Sequence, residues 1–384
     1  MGLQIKQLFL YGVIGLLVSW AALLYRYSDP KTRTAQIYEL PPRPKLVGPL
    51  AVNDKLQNVE YILKGEVDGP ESLVIEGDSI YTGLYDGRVV HIKNGKIVKE
   101  VRFTKHRKCG SFDTEPICGR PLGIRRLNDK EFVVADAYLG IFLVDMKAGT
   151  FRQIVNSNVP IQGRYMRFLN DVEVLNEDEI VFTDSSSKWD RRHVVHIIIG
   201  HESLGRIFKH KISTGETTVL ADGLHLPNGI QLHPDGKSIL FAECNMARID
   251  RLDLSTNKVT PFAKNLPGLP DNIRPGSDDT LWVGLAGVRH ADALSLIDAG
   301  GSYPLIRQIL LDIVPPHWWI NYIQMMRPPH AMIIQLNSNG EIIQSLHDIT
   351  GTHIQDVSQV SQSGDYLYFG SFHNKYIARL HIGK

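Results

Sequence analysis

Six short stretches of this chain share one form, and their spacing constrains the fold more than any other feature. Residues 226–230 (LPNGI) and 269–273 (LPDNI) are almost the same pentapeptide. Residues 120–124 (RPLGI) keep its proline and isoleucine, 168–172 (FLNDV) and 353–357 (HIQDV) share its pattern, and 69–73 (GPESL) is a looser copy. Each sets one residue between an apolar, Pro- or Gly-flanked lead and a small or polar residue followed by an aliphatic. Those pivots are Glu71, Leu122, Asn170, Asn228, Asp271 and Gln355.

Each pivot precedes a short apolar run by a similar distance. Measured to Tyr81, Phe132, Val181, Leu240, Leu281 and Leu367, the offsets are 10, 10, 11, 12, 10 and 12 residues. In-phase units of this kind mark a repeat architecture. Beyond each run, alternating segments flank turn signals, as in residues 86–103, 139–155, 205–221 and 247–263. With the pivot segment and the apolar run, this predicts about four strands per unit. Six such sheets around an axis make an all-β, six-bladed β-propeller over residues 61–384. A β-sandwich is the alternative, and it leaves the regular pivots unexplained.

The ends and interruptions read differently. Leu8 to Tyr25 is an uncharged stretch of 18 residues bounded by Lys6 and Arg26. As a helix it spans roughly 27 Å, close to the bilayer core, so residues 1–27 are expected to form an uncleaved transmembrane signal anchor. Residues 28–60 are rich in proline and charge and read as a stalk. Residues 286–330 interrupt unit five with helical spacing broken at Pro304 and Pro315–Pro316. This predicts a helical insertion that packs on the rim, covers one face, or meets a bilayer through Trp318 and Trp319. A net charge of +1 without a basic block excludes a nucleic-acid partner. Charge counting mildly favours a cytoplasmic body. Cys109 and Cys118 enclose a short polar loop, and are either bridged in an oxidising compartment or two free thiols in the cytosol. Cys244 lies in an apolar run and reads as core.

In a propeller, equivalent positions at the start of each inner strand face the axis at one end, so the pivots form a ring. Glu71, Asn170, Asn228 and Asp271 supply oxygen donors. Two carboxylates and two amides suit Ca2+, whereas zinc would require Cys or His. Asn272 is a further ligand or an orienting neighbour. No GxSxG, GxxxxGK[ST] or HExxH motif is present. His193, His196 and His201 show no metal-site spacing, while His225 and His373 are the histidines expected nearest the pivot face. Asp136, Asp184 and Glu243 end their runs at matching places and read as buried hydrogen-bonding partners.

In order along the chain, GPESL, DGRVV, EPICGRPLGIR, VADAYLG, FTDSSSKW, LPNGIQL, MARI and LPDNIRP resemble the strictosidine synthase-like group. That group is related to paraoxonases, gluconolactonases and diisopropylfluorophosphatase. The resemblance covers essentially the whole chain. It implies a six-bladed calcium propeller on a single-pass anchor, with metal ligands Glu71, Asn170, Asn228 and Asp271 and a Cys109–Cys118 disulfide. It also implies a type II topology with the body lumenal or extracellular, in the endoplasmic reticulum or plasma membrane. Gln355 stands where the plant enzymes carry their glutamate, and an amide cannot serve as that acid or base. Leu122 stands where paraoxonases carry a histidine.

The expected function is therefore a membrane-anchored, Ca2+-dependent hydrolase of small esters or lactones, arylesterase-like and without strictosidine synthase activity. The expected catalytic residues are Asp271, Glu71 and His225. The alternative is a membrane-tethered interaction scaffold with a structural calcium and incidental esterase activity. A lectin-like propeller would require that no calcium bind. The sequence names no protein partner.

Overall fold

The strand Glu60–Ile62 pairs antiparallel with Ile377–His381, so the beginning of the body supplies the outer edge of its last sheet. The structure is a computed structural model describing residues 2–26, 34–293, 295–326 and 328–383. The strands of the described residues form six four-stranded sheets. The innermost strands are Leu73–Glu76, Pro121–Arg126, Leu169–Asn176, Pro227–Leu232, Gly268–Pro275 and Gln359–Ser363, which begin blades one to six. The six-bladed propeller expected from the repeats is the fold found.

Each blade's second strand is the apolar run of its repeat, buried on both faces. Phe132–Asp136 and Ser238–Glu243 are buried along their whole length, because neighbouring blades pack on either side. Lys96–Arg102, at an outer edge, alternates instead between exposed and covered positions. The core consequently lies between blades. Val133, Ala135 and Leu143 of blade two pack with Leu169, Val172, Ile180 and Phe182 of blade three. Each of the larger of these side chains contributes about 1.5–3 kcal/mol on burial.

Antiparallel order also decides which loops share an end. The chain leaves a pivot, runs down the inner strand and returns up the second strand. Anything inserted between second and third strands therefore lies at the pivot end. Six helices are present among the described residues: α1 (Gly2–Arg26), α2 (Glu115–Cys118), α3 (Val194–Gly200), α4 (Leu296–Gly300), α5 (Pro304–Ile313) and α6 (Pro316–Met326). α3 interrupts blade three, and α4 to α6 interrupt blade five, so all four stand over the ring. Pro304 and Pro316 open their helices, where a missing N–H costs nothing.

Residues 34–44 run along the same end, and residues 48–58 then follow the outermost strand of blade five, Ile342–Asp348. Gln308 of α5 accepts from the backbone N–H groups of Thr34 and Ala35 at 2.8 and 3.0 Å. Tyr38 donates to the Ile297 carbonyl at 2.7 Å, and Asn53 to the Ser345 carbonyl at 2.9 Å.

The transmembrane reading of the N-terminus is not supported by the structure. Among the described residues, no helix is long and apolar enough to cross a membrane.

Candidate metal centre

Four of the six inner strands break register at their start. The breaks fall between Pro121 and Ile124, Leu169 and Val172, Pro227 and Ile230, and Pro270 and Ile273. Such bulges re-aim side chains, and these four span Leu122, Asn170, Asn228 and Asp271. Glu71 lies two residues ahead of blade one's inner strand. Glu71, Asn170, Asn228 and Asp271 are 4%, 3%, 9% and 2% exposed.

Neighbouring blades are tied together at these residues. The Asn170 side-chain amide donates to Ser185 Oγ at 3.2 Å, and Ser185 Oγ donates to the Pro227 carbonyl at 2.7 Å. Thr183 donates to the Asn228 carbonyl at 2.8 Å. Blade four meets blade five through Gly229, where a Cβ would lie 2.5 Å from both Asn272 Cα and the Asp271 carbonyl oxygen. Glycine is required there by close approach. The ring closes electrostatically, since Asp271 lies within the field of Glu71.

The oxygens facing this centre lack donors. Among the described residues, Asn170 Oδ1, Asn228 Oδ1, Asp271 Oδ1 and Asn272 Oδ1 are buried without a hydrogen-bond partner. Leaving such a group unmade costs about 1–3 kcal/mol. Burial, and then the Glu71 charge, push the Asp271 carboxyl well above its ordinary value. Burial also raises Glu71, opposed chiefly by Arg120. Orphaned amide oxygens beside two mutually repelling carboxylates fit a hard cation such as Ca2+, which supplies the missing positive charge. Among the described residues, the cluster of His106, Cys109 and Cys118 contains the Cys109–Cys118 disulfide and does not compete.

Beneath the ring the axis is filled by a charged network. Arg274 donates to the two carboxylate oxygens of Asp171 at 2.8 and 3.2 Å and to Ser72 Oγ at 3.0 Å. Arg125 adds a contact to Asp171 at 3.4 Å. Burial opposes the Asp171 charge, yet Arg125 and Arg274 hold its carboxyl below the ordinary range. The leads to the pivots are held by the carboxylates ending the second strands. Asp184 accepts from the Phe168 N–H at 3.0 Å and Glu243 from the His225 N–H at 2.7 Å. Asp136 accepts from Tyr138 and Leu139, both at 3.0 Å. All three are buried partners, as expected.

Above the ring the walls are apolar. Leu122, Ala137, Phe168, Leu226 and Cys244 cluster with Ile197 of α3. Leu122 therefore serves as wall, and Cys244 is a free, buried thiol. On the blade-one side, Arg120 is fully buried, donates to the Gly69 carbonyl at 2.8 Å and lies 3.5 Å from Glu71. Gln355 donates its amide to the Gly351 carbonyl at 2.6 Å. His225 stands with its ring 4.7 Å from that of His201, and burial lowers its pKa.

The structure thus brings Glu71, Asn170, Asn228 and Asp271 to one centre, while His225 packs against His201 in the lead to Asn228. Sequence reasoning missed the residues that position them. Ser185, Thr183 and Asp171 come from blade three, Arg274 from blade five and Arg120 from the lead to blade two, and none occupies a pivot.

Comparison with known proteins is consistent with this architecture. The strictosidine synthase family profile matches residues 170–257, and the strictosidine synthase-like N-terminal profile matches residues 48–92. The adipocyte plasma membrane-associated protein of Mus musculus is 36% identical over 343 residues, covering 88% of this chain and 81% of that protein. This chain belongs to the adipocyte plasma membrane-associated protein family. The Salmo salar member is 36% identical over 91% of this chain and 84% of its own. Strictosidine synthase-like 3 of Arabidopsis thaliana is 31% identical, covering 91% of each. Among solved structures, the calcium-binding protein regucalcin of Agrobacterium tumefaciens shares the fold at TM-score 0.52 and 13% identity, covering 83% of this chain and 92% of its own. A luciferin-regenerating enzyme does so at TM-score 0.52 and 15% identity, covering 84% and 94%.

Proposed function

We propose that this chain is a membrane-attached, Ca2+-dependent hydrolase of small esters or lactones, arylesterase-like in its chemistry. The observation that carries this is the set of buried, unpartnered oxygens of Asn170, Asn228 and Asp271 beside Glu71. The relatives' names support membrane association, and the names of the fold's neighbours include gluconolactonase and luciferin-regenerating enzyme. The Cys109–Cys118 bridge supports a body in an oxidising compartment.

Glu71, Asn170, Asn228 and Asp271 would hold the ion. Bound calcium supplies Lewis-acid polarisation of a carbonyl and stabilisation of the developing oxyanion. The chain's own groups do the rest. Ser358 hydrogen-bonds the Asp271 carboxylate and so orients it, which fits Asp271 to accept a proton from attacking water or to attack directly. Glu71 balances charge, steadied by Arg120. His225 sits three residues ahead of Asn228 as a group for relaying a proton. Leu122, Phe168, Leu226 and Ile197 exclude water and favour an apolar substrate portion. Gln355, an amide engaged with its own loop, offers no acid or base for a strictosidine-type condensation.

The scaffold reading draws on one observation, the exposed apolar faces of α5 and α6. The two separate on turnover. Phenyl acetate hydrolysis by the purified full chain is expected to vanish with chelator and in Asp271→Asn. Unchanged turnover in both would overturn the hydrolase.

A further inference from the structure

The helices over the ring are amphipathic the wrong way round for a water-soluble cap. On α5 and its approach, Tyr303, Ile306, Leu310 and Ile313 form an i, i+3, i+7, i+10 stripe, and they are 59%, 56%, 39% and 66% exposed. The polar Arg307 and Gln308 are instead turned inward and buried. α6 repeats the arrangement: Trp318, Tyr322 and Met325, spaced i, i+4, i+7, are exposed, while Trp319 packs against Val195 of α3 and Leu311 of α5. An apolar stripe on a surface helix ordinarily faces the core, and contiguous exposed patches mark an interaction site.

Charge is almost absent from this face. Residues 296–326 contain three formally charged side chains, Asp298, Arg307 and Asp312, and one histidine, His317. Asp298 pairs with Arg289 at 2.7 Å, Arg307 is buried, and Asp312 accepts from Gln308 at 3.1 Å. Aromatic rings mixed with aliphatics and little charge suit a membrane interface better than a polar-rimmed protein contact.

The chain's own N-terminus points to the same occupant. α1 exposes Leu10, Tyr11, Val13, Ile14, Leu16, Leu17, Val18 and Trp20, and the chain next described, at Thr34 and Ala35, is hydrogen-bonded to Gln308 of α5. Residues 27–33 between them reach at most roughly 30 Å. A bilayer holding α1 is therefore within reach of α5.

We infer that the exposed faces of α5 and α6 lie in the interfacial layer of the bilayer that holds α1. The pivot end of the propeller then faces the membrane. The apolar walls formed by α3 lie directly beneath that contact, which matches substrates partitioned into lipid rather than free in water. The inference rests on membrane attachment through α1 and not on the hydrolase chemistry.

The test places nitroxide labels on the full chain at Ile306→Cys, Ile313→Cys and Met325→Cys, with Asn339→Cys as reference. Asn339 lies in the turn after blade five's third strand, at the opposite end of the propeller. Native cysteines do not interfere, because Cys244 is buried and the other two are bridged. In phosphatidylcholine vesicles, collision with a water-soluble nickel complex is expected to be several-fold lower than at 339, and collision with oxygen higher. Nickel collision equal to that at 339 overturns the inference. Shielding from both reagents overturns it in favour of a second copy or another protein on this face. Calcium binding and ester turnover measured on the same samples report the hydrolase reading separately and verify folding.

Discussion

Asn170 gives its side-chain N–H to Ser185 at 3.2 Å, and its Oδ1 is thereby left for the axis without a partner. Ser185 Oγ in turn donates a hydrogen bond to the Pro227 carbonyl at 2.7 Å, one residue before Asn228. One hydroxyl thus orients two proposed ligands from different blades. Ser185→Ala is expected to weaken calcium binding roughly 10–100-fold, as loss of a ligand's outer partner does. Ser185→Thr, which keeps the hydroxyl, should restore most of it. Calorimetric calcium titration of the three proteins measures this.

Asp271 and Glu71 are both buried carboxylates, and after burial itself the Glu71 charge adds most to the cost of ionising Asp271. Without a cation, Asp271→Asn removes that conflict and should stabilise the protein by about 1–3 kcal/mol. With calcium, the order reverses, because wild type gains binding energy that the variant lacks. Thermal unfolding in chelator and in calcium would show the crossing. A variant less stable than wild type in chelator would count against a cation at this site.

Gly229 allows blades four and five to approach within a distance that a Cβ would occupy. Gly229→Ala is expected to cost about 1–3 kcal/mol through overpacking, and to lower calcium affinity by separating Asn228 from Asp271. Ala substitution at Gly236, a turn glycine with open space around it, adds no such clash. Its φ of +65° makes it a test of backbone strain alone, with calcium affinity unchanged.

Acid sensitivity should arise away from the ring. His330 Nε2 and His347 Nδ1 lie 2.9 Å apart, and His347 Nε2 meets Ser345 Oγ at 2.7 Å. Burial, then repulsion from neighbouring histidines, lowers both to about 4, with Asp348 opposing at His330. The folded pKa values lie below the unfolded value of about 6.5. Stability is therefore full above pH ~6.5 and falls as pH drops toward 4, where the unfolded chain binds more protons. Chemical denaturation across this window should show the loss, and His347→Gln should flatten it.

By itself the sequence determined the number of blades, because a short apolar run recurring in phase six times has few ways to bury itself. The ring positions were also legible, since Glu71, Asn170, Asn228 and Asp271 hold equivalent places in their repeats. What supports the ring was not. Ser185 and Asp171 of blade three and Arg274 of blade five sit outside the pivots and carry no common spacing, so only packing between blades shows which of them meet. The same holds for α5 and α6: their periodicity announces helices, but periodicity cannot say which face turns outward. The tertiary structure decided that by spending Arg307 and Gln308 on the chain at Thr34 to Gln36, which left the apolar stripe outside. A local pattern encodes what a segment repeats, and burial against distant segments decides what its polar and apolar sides are for.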